Sequence, residues 1–337
     1  MKETFERGVV IISIDTEQIW GYFDALSQAQ FEQRFPDARA AHEKLLICLR
    51  AAGVSATWFV VGGLTLRQSA GAGDPRIAAL AGEHAVSIPR GSESTAPLWY
   101  RPSFVDQLRR AQPAQEIGLH GGLTHLVWTN RGATREIVRR ELAEGIEAMS
   151  KVCISPSSFS FARNQEAHHD LLPQHGISCF RGRPPALAWR LGRSFAGAIL
   201  RASDELLRTT PPPVWPQKIM PGLWNIPSST FLYPIGPART RVVGLRSRVE
   251  RFARGMQAAA RYRGIFHLSL HPENLTESPH GFSMFEDMLD RLGRARDQGD
   301  VEVMTMSDVV ACMERKQLDA SQSQQSNSKL LKADRRS

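Results

Sequence analysis

Short β-branched runs alternate with long amphipathic ones along most of this chain, and that alternation narrows the possible folds more than any other feature. The short runs are residues 8–15 (GVVIISID), 54–61 (VSATWFVV), 116–120 (EIGLH), 157–162 (SSFSFA), 264–271 (GIFHLSLH) and 301–306 (VEVMTM). Each has the length and composition of a strand. Between them, residues 134–152 and 281–299 carry helical periodicity; in the latter Phe282, Phe285, Met288, Leu289 and Leu292 line one face. Strands that alternate with helices imply βα units around a parallel sheet or barrel. The expected class is therefore α/β, with the chemistry gathered at strand ends.

The rhythm covers residues 1–315, expected to be a single domain, with two departures. Residues 183–235 contain an amphipathic helical pattern stopped by the proline cluster Pro211, Pro212 and Pro213, and read as an insertion or elaborated loop. The tail 316–337 is Ser/Gln-rich with little apolar content and is expected to be disordered.

Cys48, Cys153, Cys179 and Cys312 lack CxxC spacing, so neither a zinc knuckle nor a disulfide framework is indicated. The start of the chain has only a five-residue apolar run, and no stretch approaches the roughly 20 apolar residues of a spanning helix. The expected location is the cytoplasm. A net charge of +8 suits an anionic partner. Arginines cluster beside apolar stripes in 186–208 and 239–263, either as solvated faces of core-packed helices or as contacts to phosphates or an anionic membrane. No helix-turn-helix, finger or RNA-recognition signature accompanies the charge, so nucleic acid is disfavoured.

Three strand ends carry reactive side chains. Asp15 and Glu17 share strand parity and project from one face. Two carboxylates there repel unless a cation or proton separates them. His120 ends the third run, and His125 follows across the Gly121-Gly122 pair, five positions on. Two imidazoles and one carboxylate can hold a divalent ion and leave a position for water or substrate; the alternative is two ordinary turn histidines. His267 and His271 share parity in the late run, and His271 stands at its end, where its titration range suits a general acid.

Five segments in order resemble the polysaccharide deacetylase superfamily, the NodB-homology or carbohydrate esterase family 4 fold: SIDTE, ATWFVVGG (56–63), EIGLHGGLTH, FSFARNQEAH (159–168) and LSLHPENL. The resemblance spans roughly residues 8–310. It implies a distorted (β/α)7 barrel, here with an elaborated helical insertion. It also implies that Asp15 is the base, that Glu17, His120 and His125 hold the metal, that Arg163 orients the base and that His271 is the acid. The chain departs from the commoner pattern in Asp-Thr-Glu for two adjacent aspartates, in a histidine spacing of five for four, and in Arg163-Asn164-Gln165 for Arg-Pro-Pro-Tyr.

The activity so implied is metal-dependent removal of an N-acyl group from an amino sugar in bacterial glycan biosynthesis. Zinc is the first choice of ion, with cobalt or another transition metal as alternatives. The sugar is expected to be linked to a nucleotide or polyprenyl phosphate. Trp20, Trp128 and Trp224 are candidates to hold it, with core packing as the alternative for each, and Asn164 joins them. Two other readings stay open: an inactive barrel that binds a glycan or a partner, and an amidase for a small non-sugar amide.

Overall fold

The computed structural model describes residues 5–185, 207, 209–234 and 243–334. Its strands are β1 (Gly8–Thr16), β2 (Thr57–Val60), β3 (Gln68–Ser69), β4 (Gly91–Ser92), β5 (Glu116–His120), β6 (Ser158–Ser160), β7 (Cys179–Gly182), β8 (Gln217–Met220), β9 (Leu223–Pro227), β10 (Thr230–Leu232), β11 (Ile265–Leu270) and β12 (Val301–Val303). The helices are α1 (Gln28–Arg34), α2 (Ala38–Ala51), α3 (Pro75–Ala81), α4 (Pro102–Arg109), α5 (Arg135–Ser150), α6 (Leu171–Gln174), α7 (Leu245–Tyr262), α8 (Gly281–Asp297) and α9 (Met306–Asp334).

One sheet dominates, in the order β10-β11-β1-β2-β5-β6-β7-β9-β8, with β12 alongside the start of β1. Every pair in it is parallel except β8–β9. β3 and β4 form a separate antiparallel ribbon. The long sheet curls. Ser228 and Ser229 carry the chain from β9, beside β7, to β10, beside β11: Ser228 N donates to Gly182 O at 3.0 Å and Ser229 N to His267 O at 2.8 Å.

Strand parity divides the core in two. Val10, Ile12, Ile14, Trp58, Val60, Leu119 and Phe159 face outward and pack under the helices. Val9, Ile11, Phe59, Cys179, Trp224, Ile226 and Ile265 belong to a second cluster, joined by Met306, Val309, Val310 and Met313 from the start of α9. On the inward face of β1 the residues then turn polar toward its C-terminal end, from Val9 and Ile11 to Ser13 and Asp15. The barrel is apolar where α9 plugs it and polar where its strands end.

Two expectations need correction. Residues Gln217–Leu232 of the expected insertion are strands of the main sheet, because KIMPGLWNIPSSTFL is cut by proline, glycine and serine into pieces too short to show alternation. The helical part of that expectation, 186–206, lies outside the described residues. The tail expected to be disordered continues as helix to Asp334. It contains no glycine or proline between Met306 and Asp334, and the buried positions 306, 309, 310 and 313 anchor its first two turns, so the rest extends an existing nucleus.

In the basic segment 239–263, α7 turns Val249, Phe252 and Met256 into the core, half-buries Leu245 and packs on β1, β11 and α8. Its apolar stripe is spent on the barrel, which removes it as a membrane-facing surface. Among the described residues no helix is long and apolar enough to cross a membrane.

Candidate metal and catalytic site

β1 delivers Asp15 at its penultimate position and Glu17 one residue past its end, where a 3-10 turn, Gln18–Gly21, begins. β5 ends on His120, opposite Ser160 of β6, and the His120 Nδ1–H donates to the Ser160 carbonyl at 2.9 Å. That bond fixes the orientation of the ring and aims Nε2 into the site. Nε2 stands 3.0 Å from Glu17 Oε2.

The connection to His125 makes a tight loop that only its glycines allow. Gly121 has φ +71, Gly122 φ +129 and His125 itself φ +62. A Cβ on Gly122 would lie 2.5 Å from Glu141 Cγ, and one on Gly145 of α5 would lie 2.6 Å from the Gly122 carbonyl carbon. Glu141, buried on α5, accepts from Thr124 N at 2.7 Å, Leu126 N at 3.1 Å and the Thr124 hydroxyl at 3.1 Å. Burial pushes its carboxyl up to about 7, against these donors. The extra residue between the histidines is absorbed in this loop, and His125 Nε2 arrives 2.9 Å from the same Glu17 oxygen.

Glu17, His120 and His125 are all buried and present one ligand atom each within a compact set. The donors fit a divalent transition ion. Bonds of about 2.0–2.2 Å in a tetrahedron put neighbouring ligand atoms roughly 3.4 Å apart, near the observed 2.9 and 3.0 Å. His125 Nε2 is buried without an aligned hydrogen-bond partner, as a ligand nitrogen would be.

β11 supplies the third arm. His271 follows its last residue, with Nε2 3.3 Å from Asp15 Oδ2 and Nδ1 3.1 Å from Glu17 Oε1. Burial opposes its charge, yet Glu17, Tyr22 and Asp15 lift it well above the ordinary histidine range. Burial likewise opposes ionisation of Glu17, and His271, His125 and His120 together outweigh it, holding that carboxyl well below the usual range. His125 carries less of the charge, since burial draws it down. At neutral pH the arrangement is an anionic Glu17, a cationic His271 and a neutral His125.

Asp15 is held by Arg181, not by Arg163. Arg181 on β7 is fully buried, with Nη2 2.7 Å from Asp15 Oδ2, 2.9 Å from Ser160 Oγ and 3.3 Å from Asn164 Oδ1. Its Nη1 donates to Ser13 Oγ at 3.2 Å. Against the cost of burial, this guanidinium, His120 and His271 keep the Asp15 carboxyl well below the ordinary carboxylate range. Arg163 lies in a turn with φ +53, which swings its side chain to the rim; Nη2 pairs there with Asp24 Oδ2 at 2.6 Å, and the arginine is 32% exposed. Asn164, a substrate-binding candidate, instead faces Arg181.

The three tryptophans are walls. Trp20 donates to Trp99 O and stacks edge-on with Trp99; Trp128 donates to Gly121 O beneath the histidine loop; Trp224 sits in the apolar plug beside α9. All three are buried. The aromatic side chains beside the reactive groups are Phe231, edge-on to His271 at 5.3 Å, and Tyr22, whose hydroxyl is 3.3 Å from His271 Nδ1. Arg181, Tyr22, Glu273 and Phe231 escaped the sequence reading. A single signal was available for them, an arginine set in the apolar run ISCFRG.

No protein-family model matches the sequence, and no curated protein matches it. Solved structures do. A candidate polysaccharide deacetylase from Mycobacterium smegmatis aligns over 94% of this chain and 94% of its own with a TM-score of 0.62 and 18% identity. A second, from Pseudomonas aeruginosa PAO1, aligns over 91% of each chain with a TM-score of 0.57 and 11% identity. Puue allantoinase aligns over 89% of this chain and 88% of its own with a TM-score of 0.51 and 11% identity. The chain therefore has the fold of the first two of these solved structures, a distorted (β/α)7 barrel.

Proposed function

We propose that this protein is a metal-dependent hydrolase that removes an acyl group from the nitrogen of an amino sugar. The observation that carries the reading is the convergence of three strand ends: Asp15 and Glu17, His120 with its loop partner His125, and His271 meet in one cluster of side chains in mutual contact. The fold it shares with the two candidate deacetylases supports the same conclusion.

Glu17, His120 and His125 would hold the ion, zinc by their chemistry; such an ion supplies a Lewis acid for the acyl carbonyl and lowers the pKa of water toward about 7. Asp15 takes the proton of the attacking water. Its Oδ2 is fixed by Arg181 and His271, and Oδ1 is buried with no hydrogen-bond partner, so Oδ1 is the atom that receives it. Arg181 keeps Asp15 ionised and aimed. His271, 19% exposed and held protonated, gives its proton to the departing amine, which is too basic to leave as an anion. Phe231 and Tyr22, rather than the tryptophans, stand where a sugar ring would pack.

The net charge of +8 suits an amino sugar carried on a nucleotide or polyprenyl phosphate in the cytoplasm. A non-sugar amide is the second reading, favoured by the alignment with Puue allantoinase. Two measurements test these readings. Zinc titrated into metal-stripped protein is expected to bind tightly to wild type and poorly to Glu17→Ala and His120→Ala. Acetate release from N-acetylated sugars, compared with hydrolysis of small cyclic and linear amides, then separates the substrates. Absence of zinc binding in wild type overturns the enzymatic reading and leaves a glycan-binding barrel.

A further inference from the structure

Beside the reactive side chains lies a buried carboxylate that this mechanism does not use. Glu273, in the 3-10 turn Pro272–Leu275 just past His271, is fully buried. Its Oε1 accepts from the Tyr22 hydroxyl at 3.2 Å and stands 3.6 Å from His271 Nδ1, while Oε2 has no hydrogen-bond partner. Glu17 offers its two oxygens to different neighbours. Oε2 faces His120 and His125, and Oε1 faces His271 Nδ1 at 3.1 Å. One ligand atom each from Glu17, His271 and Glu273 falls within 4.8 Å of the others.

Asp15, Glu17 and Glu273 are three buried carboxylates; Arg181 is paired with Asp15 and His271 with Asp15 and Glu17, which leaves Glu273 Oε2 as a buried oxygen without a hydrogen-bond partner. A buried carboxylate oxygen without a partner is costly. An oxygen, nitrogen, oxygen set that shares one carboxylate with a neighbouring set has the pattern by which two cations are bridged.

We propose that Glu17 Oε1, His271 Nδ1 and Glu273 form a second, weaker divalent-cation site that shares Glu17 with the first, and that filling it takes His271 out of proton transfer. The proposal rests on Glu17, His120 and His125 being the first site. The second is weaker because Tyr22 already bonds Glu273 Oε1, a contact the ion has to displace or share. Its consequence is inhibition by excess metal, through capture of the acid rather than displacement of the first ion.

The test is calorimetric titration of zinc into the metal-stripped full chain. Two separate binding steps are expected for wild type. Glu273→Gln, which is isosteric, should keep the tight step and lose the weak one, and His125→Ala should weaken the tight step. A single step in wild type that is unchanged in Glu273→Gln overturns the second site and leaves the first standing; absence of binding in wild type overturns both. Cobalt spectra provide a check that needs no variant: the second equivalent should add a new ligand-field band to wild type, and a spectrum that stops changing after one equivalent refutes the proposal.

Discussion

Two arginines stand near the base, and replacing each by methionine separates their roles. Arg181 is buried with Asp15, both side chains 3% exposed or less, and their contact is 2.7 Å. Arg181→Met fills similar volume but leaves the Asp15 carboxylate buried without its guanidinium. Removing one member of a buried pair costs about 3–5 kcal/mol, most of it the stranded charge. Arg163 and Asp24 are 32% and 25% exposed, so water screens their pair and Arg163→Met should cost no more than about 1 kcal/mol.

Urea unfolding at a fixed zinc concentration measures both costs, provided the m-value is constant across the series. The double variant Asp15→Asn with Arg181→Met removes the stranded charge and should be cheaper than the sum of the single changes by about 2 kcal/mol or more. On the catalytic side Arg181→Met should lower kcat with little change in KM, because it disorders the base and not the substrate. Equal costs for the two arginines, or strict additivity of Asp15→Asn with Arg181→Met, would refute the assignment of Arg181 as the orienting group.

Two further outcomes follow from the same geometry. His267 is buried between Pro227 O and Ser13 Oγ, and burial, reinforced by the Arg181 charge, draws its pKa from 6.5 down to about 3. Its neutral form is therefore favoured in the fold: the stability is fully present above pH 6.5 and drains away as pH falls toward 3, by roughly 2 kcal/mol between pH 7 and 5. Denaturation of wild type and His267→Gln at both pH values should show the variant's curve flatter by that amount, and parallel curves would count against it. Gly122→Ala puts a Cβ 2.5 Å from Glu141 Cγ at φ +129. A loss of roughly 2–5 kcal/mol in thermal or urea unfolding is expected, with weakened zinc binding as the His125 loop shifts; a neutral substitution would mean that the loop relaxes freely.

How far the sequence reveals this molecule depends on whether a feature is local. The strands 8–15, 116–120 and 264–271 stand at β1, β5 and β11 because each is a single uninterrupted run whose parity alone fixes which side chains face inward. Asp15, His120 and His271 sit at or just beyond the ends of those runs, so a pattern of residues along the chain was enough to nominate them. β8, β9 and β10 were hidden because proline and glycine break them into pieces that gain strand character only by pairing. The tryptophans were ambiguous for the opposite reason: a large ring near a motif is equally suited to a wall or a platform, and burial decides.

The role of Arg181 was hidden for a topological reason. The resemblance drawn from the sequence expects an arginine just after β6, and Arg163 occupies that place, but at φ +53 its side chain leaves for the rim and Asp24. The position over Asp15 is reached instead from the next strand, through the register that sets Arg181 beside Ser160. Two small side chains make the space: Ser13, two residues before Asp15 on the same face of β1, and Ser160 both hydrogen-bond the guanidinium and leave it room to reach Asp15. Larger residues at 13 or 160 would close that path. The sequence signal for the orienting cation is therefore a correlation among three strands, a long cation on one and small hydroxyl residues on its two inward neighbours, and a reading that proceeds along one chain segment at a time meets its three parts separately.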